Sequence, residues 1–138
     1  MVKPALSLVA FVSVLGCGGG PPVKTASGER IERVTIEERF ATSEEVKETT
    51  LRGERLRTAV ELMDEHDVTS LNGTFESKAV VHTGSVTVIV KPVTGAERRI
   101  FVESCAHKKV CPFLEAAQAK GLIERKPLAC KSEARCGR

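Results

Sequence analysis

The last third of the chain holds four cysteines in two spaced pairs, and they restrict the possible fold more than any other feature of the sequence. Five residues separate the members of each pair and eighteen lie between the pairs: Cys105, Cys111, Cys130 and Cys136. An even set of clustered cysteines in a short chain is typical of a disulfide framework formed in an oxidising compartment. Such bridges would offset a core with few large side chains, because the 138 residues include five phenylalanines and no tryptophan or tyrosine.

The segment between the two cysteine pairs indicates how they connect. Residues 112–121 begin with proline, continue with strong helix formers and end with glycine, which predicts a helix. This helix would be about 15 Å long, and the residues after it are numerous enough to return along it in extended form. We therefore expect Cys111 to pair with Cys130 and Cys105 with Cys136, in a nested arrangement. Local pairing inside each five-residue loop is the alternative.

A zinc site is the rival interpretation of the cysteines. It would use the four thiolates, or three of them together with His107. Five-residue gaps are wider than the spacings usual in structural zinc sites. We therefore expect two disulfides and no metal.

The first seventeen residues have the order of an export signal. Lys3 precedes an eleven-residue, largely apolar run at 5–15, and small residues follow. The residues Val14-Leu15-Gly16-Cys17 resemble the lipobox of bacterial lipoproteins. That resemblance implies cleavage before Cys17, diacylglycerol on its sulfur and a fatty acyl chain such as palmitate on its amine. Gly18 in the next position fits lipoproteins that are sorted to an outer membrane.

Two other interpretations of this opening are open. One is an ordinary secretory signal that is cut nearby, with Cys17 incidental. The other is a spanning helix, although the apolar run is well short of the ~20 residues that a span requires.

These features divide the chain into three parts. Residues 1–16 are the predicted signal peptide, which is removed. Residues 17–28 are rich in glycine, proline, serine and threonine, so we expect a flexible tether that begins with lipidated Cys17. Residues 29–138 have the ordinary size of one domain.

Turn signals predict a small antiparallel sheet in this domain. Asn72-Gly73 between two β-rich runs indicates a hairpin, and the segment 92–95 indicates a second turn. In the third run the even-numbered valines form one apolar face. The result is a four-stranded antiparallel meander built from residues 68–71, 74–82, 85–91 and 98–103.

Helices complete the predicted fold. Residues 54–66 place apolar side chains at helical spacing, before the sheet, and the helix at 112–121 follows it. Residues 31–40 favour a further strand. We therefore predict an α+β fold, with one or two helices packed on one face and a disulfide-linked C-terminal segment.

Charge is unevenly distributed. Without residues 1–16, twenty Lys and Arg face eighteen acidic residues, whereas residues 105–138 alone hold eight basic and three acidic residues. A basic end of this kind suits anionic headgroups or an acidic partner, although such surfaces are most often simply solvated. Nucleic acid is not an expected partner, because Phe113 is the one aromatic residue of that segment and provides no stacking platform.

Candidates for catalysis are few. Asp64-Glu65-His66-Asp67 is a dense cluster of acids around an imidazole, and Ser104 with His107 suggests a nucleophile and a base. Neither has the remaining parts of a known site, such as His-Glu-x-x-His or Gly-x-Ser-x-Gly. We therefore predict no catalytic residues, cofactor or small-molecule substrate.

Three functions are compatible with these features. We expect a lipid-anchored protein of the outer membrane that acts as a small binding or scaffold module for another cell-envelope protein. The alternative is a secreted or contact-delivered effector, such as a toxin, or an inhibitor of a periplasmic enzyme. The third is a hydrolase that uses the His66 cluster or the pair Ser104 and His107.

Overall fold

The computed structural model describes residues 20–40, 44–77 and 83–137. These residues form a six-stranded sheet, two α-helices and a short 3-10 turn. None of the helices in the described ranges is long and apolar enough to cross a membrane. The elements, in chain order, are β1 (Val23–Lys24), β2 (Arg30–Arg39), β3 (Val46–Leu51), α1 (Gly53–Glu65), β4 (Gly73–Glu76), β5 (Ser85–Pro92), β6 (Arg98–Glu103), α2 (Val110–Ala119) and the 3-10 turn Leu128–Lys131.

Strand β2 lies at the centre of the sheet. It pairs antiparallel with β5 on one side, and with β1 and β3 one after the other on its opposite side. Beyond β5, strand β6 pairs antiparallel with it, and β4 pairs parallel with β6 at the edge. The sheet is therefore mixed, in the order β1-β2-β5-β6-β4 with β3 beside β2.

One face of the sheet carries the apolar core. Side chains alternate between the faces of a strand, so Val86, Val88 and Val90 of β5 share a face, where each is at most 1% exposed. Both helices cover this face, and the predicted α+β fold class is confirmed. The helices contribute fully buried side chains to the same cluster: Leu56, Val60, Met63, Phe113 and Leu114.

The path into β4 differs from the predicted meander. Residues 68–71 form no strand, because they complete the C-terminal end of α1. Val68 N–H donates to the Met63 carbonyl at 2.8 Å and Asp67 N–H to the Asp64 carbonyl at 3.3 Å, with Asp67 in a left-handed conformation of φ 58°. This is a Schellman motif with buried Val68 packed beneath it. The prediction of a hairpin at Asn72-Gly73 was therefore wrong.

The folded domain also begins earlier than predicted. Val23 and Thr25 are buried, at 8% and 4% exposure, and Val23–Lys24 pairs with β2. Residues 23–28 thus belong to the fold, and any flexible tether ends before Val23. The predicted lipobox with Cys17 lies outside the described residues and stays a prediction, as does the removal of residues 1–16.

Candidate binding cleft at the disulfide-linked end

Two disulfides fix the C-terminal segment. Cys105 directly follows β6 and is bonded to Cys136, with Cα atoms 5.0 Å apart. Cys111, in the first turn of α2, is bonded to Cys130 in the 3-10 turn, with Cα atoms 5.5 Å apart. This is the nested pairing that the spacing favoured, and it leaves no thiolate for the zinc alternative.

Backbone hydrogen bonds hold the chain terminus along the end of the sheet. Ala106 N–H donates to the Ala134 carbonyl at 2.9 Å, and Cys136 N–H donates to the Ala106 carbonyl at 3.4 Å. Gly137 N–H donates to the Glu76 carbonyl at 3.2 Å. The tail therefore forms backbone hydrogen bonds with the residues at the ends of β6 and β4. The disulfide Cys105–Cys136 lies beside these hydrogen bonds.

His107 caps the N-terminus of α2. Its Nδ1 accepts hydrogen bonds from Lys109 N–H at 3.0 Å and Val110 N–H at 3.2 Å. Its carbonyl accepts from Cys111 N–H at 3.0 Å. These are the roles of an N-cap residue, in which a side-chain acceptor satisfies the free N–H groups of the first turn. The helix therefore begins ahead of the predicted residue 112.

The environment of His107 favours its neutral form. The side chain is buried and meets the Phe75 ring edge-on, with ring centroids 4.4 Å apart. Burial lowers the pKa of His107 below its ordinary value of 6.5, and the positive charges of Lys109 and Lys108 lower that pKa further. Neutral Nδ1 is the form that accepts the two backbone hydrogen bonds.

A cleft opens between the two disulfides. Its volume is about 610 Å³, within the ~300–1,000 Å³ range of small-ligand pockets. Its lining combines apolar surface and cystine sulfur with charged side chains at the rim. Besides cysteines, the lining residues are Ala106, His107, Lys108, Pro112, Glu115, Ser132, Glu133 and Arg135.

The sheet supports the wall of the cleft that carries Cys130. Glu38 of β2 is 6% exposed, and its carboxylate accepts Leu128 N–H at 3.0 Å. Arg125 Nε lies 3.9 Å from the other carboxylate oxygen, and its guanidinium stacks over the Phe40 ring at 4.6 Å. A buried carboxylate thus aligns the start of the 3-10 turn. Nothing in the alternating charges of β2 distinguishes Glu38 in the sequence.

The candidate pair Ser104 and His107 is engaged in backbone contacts. Ser104 has φ 53°, and its Oγ accepts Thr83 N–H at 2.9 Å. Its carbonyl accepts the Ser132 hydroxyl at 3.1 Å. His107 Nδ1 is engaged by the helix cap and Ser104 Oγ by Thr83 N–H, so the two side chains hold the junction between β6 and α2.

The acidic cluster at His66 is also part of the fold. His66 is the C-cap of α1. Asp64 accepts Ala26 N–H at 2.9 Å and the Thr69 hydroxyl at 3.3 Å through its two carboxylate oxygens. Across the described ranges, no group of three or more His, Cys, Asp or Glu residues is arranged to hold a metal ion.

No family model, curated protein or solved structure matches this chain.

Proposed function

We propose that this chain is a lipid-anchored outer-membrane protein whose cleft between the disulfides binds a segment of another envelope protein. The lipobox resemblance supports the anchor. Cys17 precedes the first strand residue, Val23, by six positions, which span at most ~22 Å. An acylated Cys17 would therefore hold the domain close to the membrane and raise its effective concentration near envelope partners.

The covalent closure of the cleft is the observation that carries the binding proposal. One wall is the first turn of α2, held by Cys111–Cys130, and the other is the terminal tail, held by Cys105–Cys136. His107 fixes the base of α2 between them. A preformed concave surface loses little conformational entropy when a partner binds, so binding energy is not spent on ordering the site.

The lining suits an extended peptide segment. Ala106, Pro112 and the cystine residues offer apolar contacts in the lining. Lys108, Glu133 and Arg135 stand at the rim with both signs of charge. Peptides are recognised by this combination of apolar pockets and a polar rim.

Site-specific photocrosslinking tests the cleft. A photoreactive phenylalanine analogue replaces Glu133 in the cleft or, as a matched control, Val93, which is 37% exposed in the turn between β5 and β6. In intact cells we expect a discrete adduct with an envelope protein from position 133 and none from position 93. The same adduct from both positions, or from neither, would contradict the proposed cleft.

The anchor is tested separately. Mass spectrometry of the purified protein should show an N-terminal peptide that begins at Cys17 and carries fatty acyl chains. Cys17→Ser should release the protein from the membrane fraction and weaken the adduct from position 133. Undiminished adduct formation by the unanchored variant would show that the tether is incidental to partner binding.

A further inference from the structure

The N-terminal segment runs along α1 from its start to its end. A Cβ atom on Gly20 would lie 3.1 Å from Gly53 Cα, so Gly20 passes directly against the first residue of the helix. Six residues later, Ala26 N–H donates to the Asp64 carboxylate in the last turn of the helix at 2.9 Å. The chain therefore enters the domain beside the N-terminal end of α1.

This path fixes which end of the domain lies nearest to Cys17. Cys17 precedes Gly20 by three residues, a reach of at most ~11 Å. The start of α1 is consequently the part of the described structure that must stay closest to an acylated Cys17.

The charges of α1 are opposite to those that the helix dipole favours at each end. A helix dipole favours acidic residues in the first turn and basic residues in the last. The start of α1 has exposed Arg52, Arg55 and Arg57 against one acidic residue, Glu54, and its last turn has no basic residue. The other end is acidic, with Glu61, Asp64, Glu65 and Asp67. Glu54 is paired with Arg57, whose Nε lies 3.5 Å from its carboxylate. The three arginines outnumber this one acid, so the end beside Cys17 is basic.

The last turn of α2 joins the same end. Arg55 donates from its guanidinium to the Leu122 carbonyl at 2.8 Å and to the Gly121 carbonyl at 3.4 Å. Lys120, which is exposed, immediately precedes these residues. Together, the exposed residues Arg52, Arg55, Arg57 and Lys120 form the basic end of the domain.

We propose that the basic end rests on anionic lipid headgroups, so that the domain is held in one orientation on the membrane. This inference rests on the proposed lipid anchor and deepens it. Juxtamembrane basic residues are attracted to an anionic surface over about a Debye length. The cleft lies at the N-terminal end of α2, at the opposite end of that helix from Lys120, so this orientation points the cleft away from the bilayer.

Lysine footprinting tests the orientation with the acylated full-length protein. The protein is placed in detergent, in phosphatidylcholine vesicles, or in vesicles of phosphatidylethanolamine and phosphatidylglycerol, and labelled with an amine-reactive reagent. We expect Lys120 to be labelled several-fold more slowly on the phosphatidylglycerol vesicles than in detergent or phosphatidylcholine. Lys131, which is exposed in the 3-10 turn, should label at an unchanged rate.

Charge variants provide the matched comparison. Arg52→Gln with Arg57→Gln should abolish the protection of Lys120 on phosphatidylglycerol vesicles, and Lys108→Gln with Arg135→Gln, which removes equal charge beside the cleft, should preserve it. Equal labelling of Lys120 and Lys131 on vesicles that carry the protein would overturn the orientation and leave the anchor intact. Failure to float with any vesicle would overturn the anchor as well. Protection of Lys120 in cells but not on vesicles would overturn the lipid contact and assign the basic end to an acidic protein.

Discussion

At the scale of single residues, His107 concentrates several roles in one side chain. Its Nδ1 accepts two N–H groups of the first turn of α2, and its ring meets Phe75 in a buried site. Protonation would convert Nδ1 from an acceptor to a donor and place a charge beside Lys108 and Lys109. Binding of one proton would therefore remove the helix cap, place a charge in a buried site and add repulsion from the neighbouring lysines.

We predict that the protein loses stability as the pH falls below about 6.5. Because the folded-state pKa of His107 is lowered, the unfolded chain binds its proton at higher pH than the folded chain. The stability that neutral His107 contributes is thus complete above the pKa of this residue in the unfolded chain. It declines as the pH falls toward the pKa of His107 in the folded protein. Urea unfolding between about pH 8 and about pH 5 measures it. His107→Asn, which caps without titrating, should flatten this part of the profile, and an unchanged profile would exclude His107 as its source.

The role of His107 was only partly visible in the sequence. The spacing of Ser104 and His107 suggested chemistry, whereas both side chains serve the backbone at a chain reversal. Histidine is an uncommon N-cap, so no propensity pointed to it. The cysteine pairing, by contrast, followed from the length of the helix and the reach of the chain after it, and both can be calculated from the number of residues.

At the scale of elements, the joints between helices and strands decide the topology. The C-terminal end of α1 reverses through Asp67 at φ 58°, a conformation in which glycine is more usual. A second joint is formed by Arg98, at the start of β6. Its guanidinium makes paired contacts with the Glu29 carboxylate at 2.6 and 2.8 Å, and donates to the Thr69 carbonyl at 2.9 Å. Arg98 thereby links β6 to the segment before β2 and to the turn after α1.

Asp67→Gly should stabilise the protein by roughly 1 kcal/mol, because it relieves the left-handed conformation and removes a negative charge from the helix C-terminus. Asp67→Asn removes the same charge and retains a side chain, so the difference between the two variants isolates the conformational part. Thermal unfolding of both variants measures the effect. A destabilised Asp67→Gly protein would contradict the assigned Schellman motif.

Arg98→Lys should destabilise the protein by about 1 kcal/mol, since an ammonium group cannot make the paired contacts with Glu29. The partial exposure of both side chains limits the loss. Hydrogen bonding from Arg98 also lowers the pKa of Glu29, so this stabilisation is present above the unfolded pKa of Glu29 and is lost as pH falls through the folded one. Urea unfolding of wild type and Arg98→Lys should therefore converge in acid. A constant difference down to low pH would argue against this link.

Local patterns predicted some elements well and the connections between them poorly. The valine alternation of β5 and the helical spacing of α1 are carried within each segment, and both elements are present as expected. The parallel pairing of β4 with β6 depends on where α1 ends, and Asp67 gave no glycine signal for that end. Strand β3 lies at a sheet edge, and four of its six residues are polar, Lys47, Glu48, Thr49 and Thr50, so its sequence resembles that of a loop.

At the scale of the whole molecule, each of the two disulfides holds a different wall of the cleft. Cys105–Cys136 spans 31 positions and Cys111–Cys130 spans 19. The outer bridge secures the tail against the sheet, and the inner one joins α2 to the 3-10 turn. Loss of either bridge frees a different wall.

We predict that Cys111→Ala with Cys130→Ala, or Cys105→Ala with Cys136→Ala, lowers the free energy of unfolding by about 3 kcal/mol. In each case the sheet should persist, as judged by circular dichroism, while the adduct from position 133 is lost. Both pairs are needed as mutual controls, because each leaves the other bridge in place. Retention of the adduct without the inner bridge would contradict a role for the rigid wall of α2 in binding.

The central pairing of β2 with β5 has a kinetic consequence. Its partners lie between 46 and 61 positions apart in the chain, from Arg39 with Ser85 to Ile31 with Pro92. Contacts between such distant residues must close a long loop before they gain any stabilisation, which slows folding. Cys105 directly follows β6, so its position depends on the sheet. Before β2 and β5 have paired, the cysteine thiols have no fixed arrangement in which an oxidase could join them. We therefore expect native oxidation to follow the assembly of β2 with β5, and earlier oxidation to favour the short-range pairs within each five-residue loop.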